Sequence, residues 1–176
     1  MAELLIGCGH SREKKIAVDG RGEWSELVTL DIYPESGADV IHDLATLPYP
    51  FPDNTFDEIH AYDVLEHMGN QGDWRFFFDQ FAELYRIIKP GGTFHCVSPH
   101  HSSPWAWGDP GHTRIIGLEQ ITFLDQKRCE TPSAMTDYRW YYKADWELSW
   151  NMITEGMQTA FLLRARKPAS SFAPQP

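Results

Sequence analysis

Leu4-Leu5-Ile6-Gly7-Cys8-Gly9 lies almost at the start of the chain, and its reading decides the fold. Three apolar residues in a row read as a short strand buried on both faces, as in a parallel sheet. Two glycines one residue apart then make a turn where backbone approaches a ligand closely. Outward from there, Leu27-Val28-Thr29-Leu30 reads as a second buried strand closed by Asp31. Val40-Ile41 before His42-Asp43 reads as a third. Phe51-Pro52-Asp53-Asn54 is turn chemistry. Phe56 to Ala61 is a fourth strand, followed by a short helix through Val64, Leu65 and Met68. Residues 10–26 show no helical stripe and are expected as loop.

Trp74, Phe77, Phe78, Phe81, Leu84, Tyr85 and Ile88 recur at three- and four-residue spacing, which predicts an amphipathic helix. Arg75, Asp79, Gln80 and Glu83 mark its polar face, Asp73 its N-cap and Lys89-Pro90-Gly91-Gly92 its stop. Thr93 to Val97 is a fifth strand, residues 98–116 a long loop and Leu118 to Phe123 a short helix. Tyr138 to Lys143 and Met157 to Lys167 read as a terminal strand pair, the latter alternating as half-buried sheet. The order implies an α/β, doubly wound, Rossmann-like sheet, mostly parallel with an antiparallel C-terminal strand. Residues 1–167 are expected to form a single domain and 168–176 a loose tail.

The chain has 176 residues, 42% hydrophobic, 23% charged and 14% aromatic, with 7 Trp. This is globular usage. A formal net charge of -10 argues against a phosphate-backbone binder, so no strong nucleic-acid partner is expected. Three scattered cysteines, Cys8, Cys96 and Cys129, form no disulfide framework. No signal-like or membrane-spanning run occurs, so a cytoplasmic location without membrane attachment is expected. Oligomeric state is not legible.

Gly7-Cys8-Gly9, Asp31 and Asp43 follow successive predicted strands, whose carboxyl ends face one crevice in a doubly wound sheet. A carboxylate ending the second strand can accept both hydroxyls of a ribose. Asp43 is placed for the amine of an adenine. Together they read as an adenosine pocket. A dinucleotide fingerprint would need glycine at position 12, which is Arg12, so the pyrophosphate cradle is missing.

With these stretches the chain resembles the class I S-adenosylmethionine-dependent methyltransferases of the type-11 sort. The likeness is carried by Leu4 to Gly9, Thr29-Leu30-Asp31-Ile32, His42-Asp43-Leu44, Phe56-Asp57-Glu58-Ile59 with Val64-Leu65-Glu66-His67, and Arg86 to Gly92. Asp109-Pro110-Gly111-His112 is similar to a later family signature. The resemblance implies S-adenosylmethionine as cofactor and an unidentified methyl acceptor, expected to be a small molecule. It implies that Gly7, Cys8 and Gly9 cradle the methionine part and Asp31 binds the ribose, while Ile32 packs on adenine. Asp43 and Leu44 would border the adenine, and backbone at Ala61 and Tyr62 would pass near the sulfonium. Leu5 stands where such families often carry an acid and Ser11 where a third glycine often stands. These departures, with the missing helix after the glycines, support the alternative of a non-catalytic binding module that keeps the fold.

His67 and His112 are the expected catalytic candidates, to position an acceptor or take a proton. For His67 a helix-capping role weighs equally. Asp63 and Glu66 are expected to be solvated or structural. Asp109 and His112 are expected to share an internal hydrogen bond that shapes the loop. His100, His101, Asp109 and His112 match neither HExxH nor an HxD facial triad, so no metal is expected. Trp105 and Trp107 are expected to pin the long loop to the domain rather than line an aromatic pocket. Tyr138, Trp140 and Tyr142 are expected in core or interface.

Overall fold

A computed structural model describes residues 1–17, 20–130 and 136–168, and the expected tail beyond Pro168 lies outside them. Strands β1 (Ala2–Ile6), β2 (Glu26–Asp31), β3 (Val40–Ile41) and β4 (Phe56–Tyr62) come first. Helix α1 (Trp74–Ile87) runs directly into β5 (Ile88–Pro99), and α2 (Pro104–Gly108) and α3 (Leu118–Ile121) follow. Strands β6 (Trp146–Ile153) and β7 (Gln158–Ala165) close the chain.

The strands form a seven-stranded sheet ordered β3-β2-β1-β4-β5-β7-β6. The first five positions pair in parallel, and β7 is antiparallel to both β5 and β6. The expected α/β doubly wound architecture is therefore present. Strand β1 sits between β2 and β4, which is why Leu4, Leu5 and Ile6 are all buried. The order reverses direction between β1 and β4, and such a switch opens a crevice at the strands' carboxyl ends.

The terminal strand pair differs from its sequence reading. The partner of β7 is Trp146–Ile153, not Tyr138 to Lys143. The amides of Tyr141 and Tyr142 both donate to the Tyr138 carbonyl, so the segment turns back on itself. Tyr138 and Tyr142 then stack on Phe78 of α1, with centroids 4.9 and 4.8 Å away. Trp140 is exposed, against expectation. Strand β7 is buried on both faces rather than half-buried, because it lies between β5 and β6.

Helix α1 begins at Asp73, whose carboxylate accepts the Phe76 amide at 3.1 Å. It buries Phe78, Phe81, Leu84 and Ile87 against the sheet. Each such side chain contributes about 1.5–3 kcal/mol. Its polar face is not wholly solvated: Gln80 and Glu83 are buried as well. Glu83 accepts the Tyr49 amide at 2.6 Å, and Gln80 accepts from the Arg114 guanidinium at 2.5 Å.

The opposite sheet face carries Leu5, Cys8, Ile16, Tyr62, Val97 and Ala160. Irregular chain covers part of it where a helix would otherwise lie. Lys14 pins that chain: its buried ammonium contacts Glu3 at 3.0 Å and Glu58 at 3.2 Å. His60 lies beside them, stacked on His95 and 3.2 Å from Glu58. No described helix is long and apolar enough to cross a membrane.

Candidate functional site

Gly7 ends β1 with φ of 62° and Gly9 follows with φ of 49°. Both angles lie in the left-handed region, which carries little penalty only for glycine. Gly7 has a second reason to be glycine: a Cβ there would stand 2.0 Å from Val64 Cγ2. A Cβ on Gly9 would meet nothing within 4 Å, so that backbone faces open space.

That space is a cavity of about 560 Å³ at the carboxyl ends of β1, β2 and β3. Its size falls within the usual range for small-molecule sites. Gly7, Gly9, Asp31, Ile32, Asp43, Leu44 and His67 all line it. Six of the nine expected cofactor contacts and one of the two catalytic candidates thus meet in one place. Asp31 accepts the Gly9 amide on Oδ2 at 2.7 Å and the Tyr33 amide on Oδ1 at 2.8 Å. Each carboxylate oxygen retains a second lone pair for a hydroxyl. Ile32 is 62% exposed, an apolar side chain held open on the cavity wall.

The other three expected contacts lie outside the lining. The Cys8 thiol, the Ala61 methyl and the Tyr62 ring are all buried and outside the cavity lining. The Tyr62 hydroxyl instead accepts the Ile16 amide at 3.2 Å on the opposite face. At Ala61 and Tyr62 the expected role was a main-chain one, which the burial of their side chains does not alter. The sequence reading missed His42, Ala45, Val64, Met68 and Gly69 as lining residues. His42 adjoins Asp43, which is the one signal that could have found it.

Arg12, where a dinucleotide site would need glycine, ties the glycine loop to the turn after β2. Its guanidinium donates to the carbonyls of Gly9, Ser11, Ser36 and Gly37 at 3.0–3.2 Å. The staple orders the loop without the usual following helix.

His67 closes a 3-10 turn over Leu65–His67. The segment after Asp109 is stapled onto this turn. Thr113 and Arg114 donate backbone amides to the Glu66 carbonyl, and Arg114 Nε donates to the Leu65 carbonyl at 2.9 Å. These bonds bring the His112 ring to 4.6 Å from the His67 ring, edge to face. Gly111 leaves room for this approach, since a Cβ there would lie 3.0 Å from His67 Nδ1.

The expected hydrogen bond between Asp109 and His112 runs through the backbone, where the His112 amide donates to the Asp109 carbonyl at 3.1 Å, while the side chains stand 3.9 Å apart. The Asp109 carboxylate also accepts the Gly111 amide at 2.7 Å, an Asx turn that shapes the loop locally. Trp105 and Trp107 do not pin the loop by burial, being 72% and 71% exposed. Asp63 is structural, holding Lys15 at 2.6 Å and Gln158 at 2.9 Å. Glu66 is neither solvated nor paired. It is 2% exposed, and neither carboxylate oxygen has a hydrogen-bond partner. Burial pushes its carboxyl up to about 7.

A crevice at the switch point, flanked by two left-handed glycines and a carboxylate ending β2, stands where doubly wound sheets bind their ligands. Residues 4–96 match the family model described as a methyltransferase domain, and the chain belongs to that family. A Mycolicibacterium smegmatis protein named "Probable S-adenosylmethionine-dependent methyltransferase" is 30% identical over 97 residues. That match spans 52% of this chain and 34% of the relative, so the chain covers about a third of its length. An Archaeoglobus fulgidus SAM-dependent methyltransferase shares the fold with a TM-score of 0.58 at 16% identity, over 93% of this chain and 85% of that one. A Haemonchus contortus phosphoethanolamine N-methyltransferase, in complex with phosphoethanolamine and S-adenosylhomocysteine, aligns with a TM-score of 0.57 at 13% identity. It covers 97% of this chain and 40% of the neighbour.

Proposed function

We propose that this chain transfers a methyl group from S-adenosylmethionine to a small-molecule acceptor. One observation carries the reading: a single cavity gathers Gly7, Gly9, Asp31, Ile32, Asp43 and Leu44, with His67 at its edge. The lining fits the cofactor. Asp31 has acceptor capacity left for two hydroxyls, Ile32 offers an exposed apolar face, and Gly9 admits close backbone approach. The cofactor supplies an activated methyl on a sulfonium. Nothing in the lining resembles a phosphate cradle, which agrees with a cofactor lacking pyrophosphate.

The chain's own work is alignment. Holding donor and acceptor in line is worth on the order of 7–11 kcal/mol of barrier. Val64 presses against Gly7 and fixes the turn from which Leu65–His67 springs. His67 then faces the cavity, where its imidazole can orient an acceptor or take its proton. His112 packs on His67 from behind and positions it. The loops around α2 are then the part of the chain that would choose the acceptor.

Calorimetry with S-adenosylmethionine and S-adenosylhomocysteine tests the reading, followed by label transfer from methyl-labelled cofactor to a panel of small hydroxyl, thiol and amine compounds. Micromolar binding with transfer to a panel member is expected. Absence of heat and of any thermal shift with either ligand would overturn it in favour of a non-catalytic module.

A further inference from the structure

We propose that Glu66, His67 and His112 form a binding site for one divalent first-row transition ion of the zinc class, at the edge of the cofactor cavity. One ligand atom from each residue lies within 4.8 Å of the other two. The donor set is two imidazoles and a carboxylate, which suits zinc, cobalt or iron rather than magnesium or calcium.

The unpartnered polar atoms supply the independent argument. Both Glu66 oxygens and His112 Nδ1 are buried without a hydrogen-bond partner. Buried polar atoms are nearly always satisfied, and an orphaned carboxylate is the costliest exception. Arg114 does not relieve it, because its guanidinium is taken by the Leu65 carbonyl and Gln80. Lys15 is held by Asp63. A cation among these atoms would satisfy the carboxylate and give the imidazoles a common target.

Metal–ligand bonds of about 2.0–2.2 Å place tetrahedral donor atoms about 3.4 Å apart. The three side chains must therefore draw in by roughly an ångström. His67 is free to do so, being exposed and on a short turn. The Cβ-free Gly111 borders the His67 ring where that movement occurs. Three protein ligands leave a further coordination position, the pattern of open rather than closed zinc sites. Because His67 lines the cavity, the ion would lie at its edge, where an oxygen, nitrogen or sulfur of a bound molecule can ligate it. The sequence spacing hid this set. Glu66 and His67 are neighbours in the chain, but His112 joins them only through the staple at Leu65 and Glu66.

The test uses the full chain without a histidine tag, stripped by chelator. Zn²⁺ is titrated by calorimetry and Co²⁺ by visible absorption, with S-adenosylhomocysteine binding measured separately on the stripped protein. One equivalent of each metal is expected, with Co²⁺ bands of low-symmetry four- or five-coordination. Affinity should fall at least tenfold in His67→Ala and in His112→Ala, and the Co²⁺ bands should shift in Glu66→Gln. His67→Ala alters an exposed side chain, so it keeps the test open if the buried variants misfold. Metal binding should persist in His100→Ala/His101→Ala. Absence of stoichiometric binding would overturn the site, as would binding unchanged in His67→Ala or lost in the His100/His101 variant. Cofactor binding without metal binding would sink this site alone, and metal binding without cofactor binding would sink the methyl-transfer reading alone.

Discussion

Replacing Asp31 with alanine tests whether the carboxylate ending β2 is the ribose anchor. Its two oxygens each accept one backbone amide, Gly9 at 2.7 Å and Tyr33 at 2.8 Å. Each then has one lone pair left for a cofactor hydroxyl. Hydrogen bonds to a charged group are worth about 1.5–3 kcal/mol each net. Two hydroxyls therefore give about 3–6 kcal/mol, and the lower end applies because the cavity opens to water. At 1.4 kcal/mol per tenfold, S-adenosylhomocysteine affinity should fall roughly 100-fold or more. The same substitution unties two loop amides, so stability should drop by about 2–3 kcal/mol, or roughly 5–10 °C in Tm. Calorimetry well below the new Tm separates the two effects. Asp31→Asn should lie between, since it keeps one acceptor oxygen. An affinity within threefold of the native protein in folded Asp31→Ala would refute the ribose assignment.

Gly7→Ala should lose about 2–5 kcal/mol in urea unfolding, because a Cβ meets Val64 at 2.0 Å on a backbone with φ of 62°. Gly9→Ala should cost only about 1–2 kcal/mol, its φ of 49° being the only penalty, and equal losses at the two sites would contradict this. Arg12→Ala should weaken S-adenosylhomocysteine binding about tenfold and speed amide exchange at Gly9 and Gly37, since four carbonyl contacts vanish. Unaltered exchange there would show that the loop orders itself. Acid should destabilise the fold through the group around Lys14. The His60 bond lowers Glu58 from 4.5 to about 2, and burial lowers His60 below its usual 6.5. Folded values below unfolded ones mean stability is lost as pH falls, first below about 6.5 and then between about 4.5 and 2. The Glu58 share is up to about 3 kcal/mol, less what solvent screens. In Glu58→Gln, Tm should vary less with pH across the lower window, and an unchanged profile would sink the assignment.

The elements read well from sequence where local chemistry is decisive. Leu4-Leu5-Ile6 before two glycines and the aromatic stripe from Trp74 each specify one structure, since their apolar spacing matches one period. The strand at Trp146–Ile153 escaped because Tyr138–Lys143 carries an equally good β composition. Only packing on Phe78 separates the two. Gln80 and Glu83 look solvated on a helical wheel, yet Tyr49 and Arg114 arrive from distant loops to satisfy them.

The candidate site divides along the same line. Gly7, Gly9, Asp31, Ile32, Asp43 and Leu44 were legible because each follows its own strand, and a parallel sheet sends all carboxyl ends to one edge. The sequence by itself therefore determined the family, the parallel part of the sheet and these lining residues of the cavity. Tertiary structure alone decided that Cys8 and Tyr62 turn their side chains to the other face. It also decided that Glu66 is buried without a partner and that His112 meets His67 across 45 residues. Those facts depend on long-range backbone bonds at Leu65 and Glu66, and no local pattern of residue types encodes them.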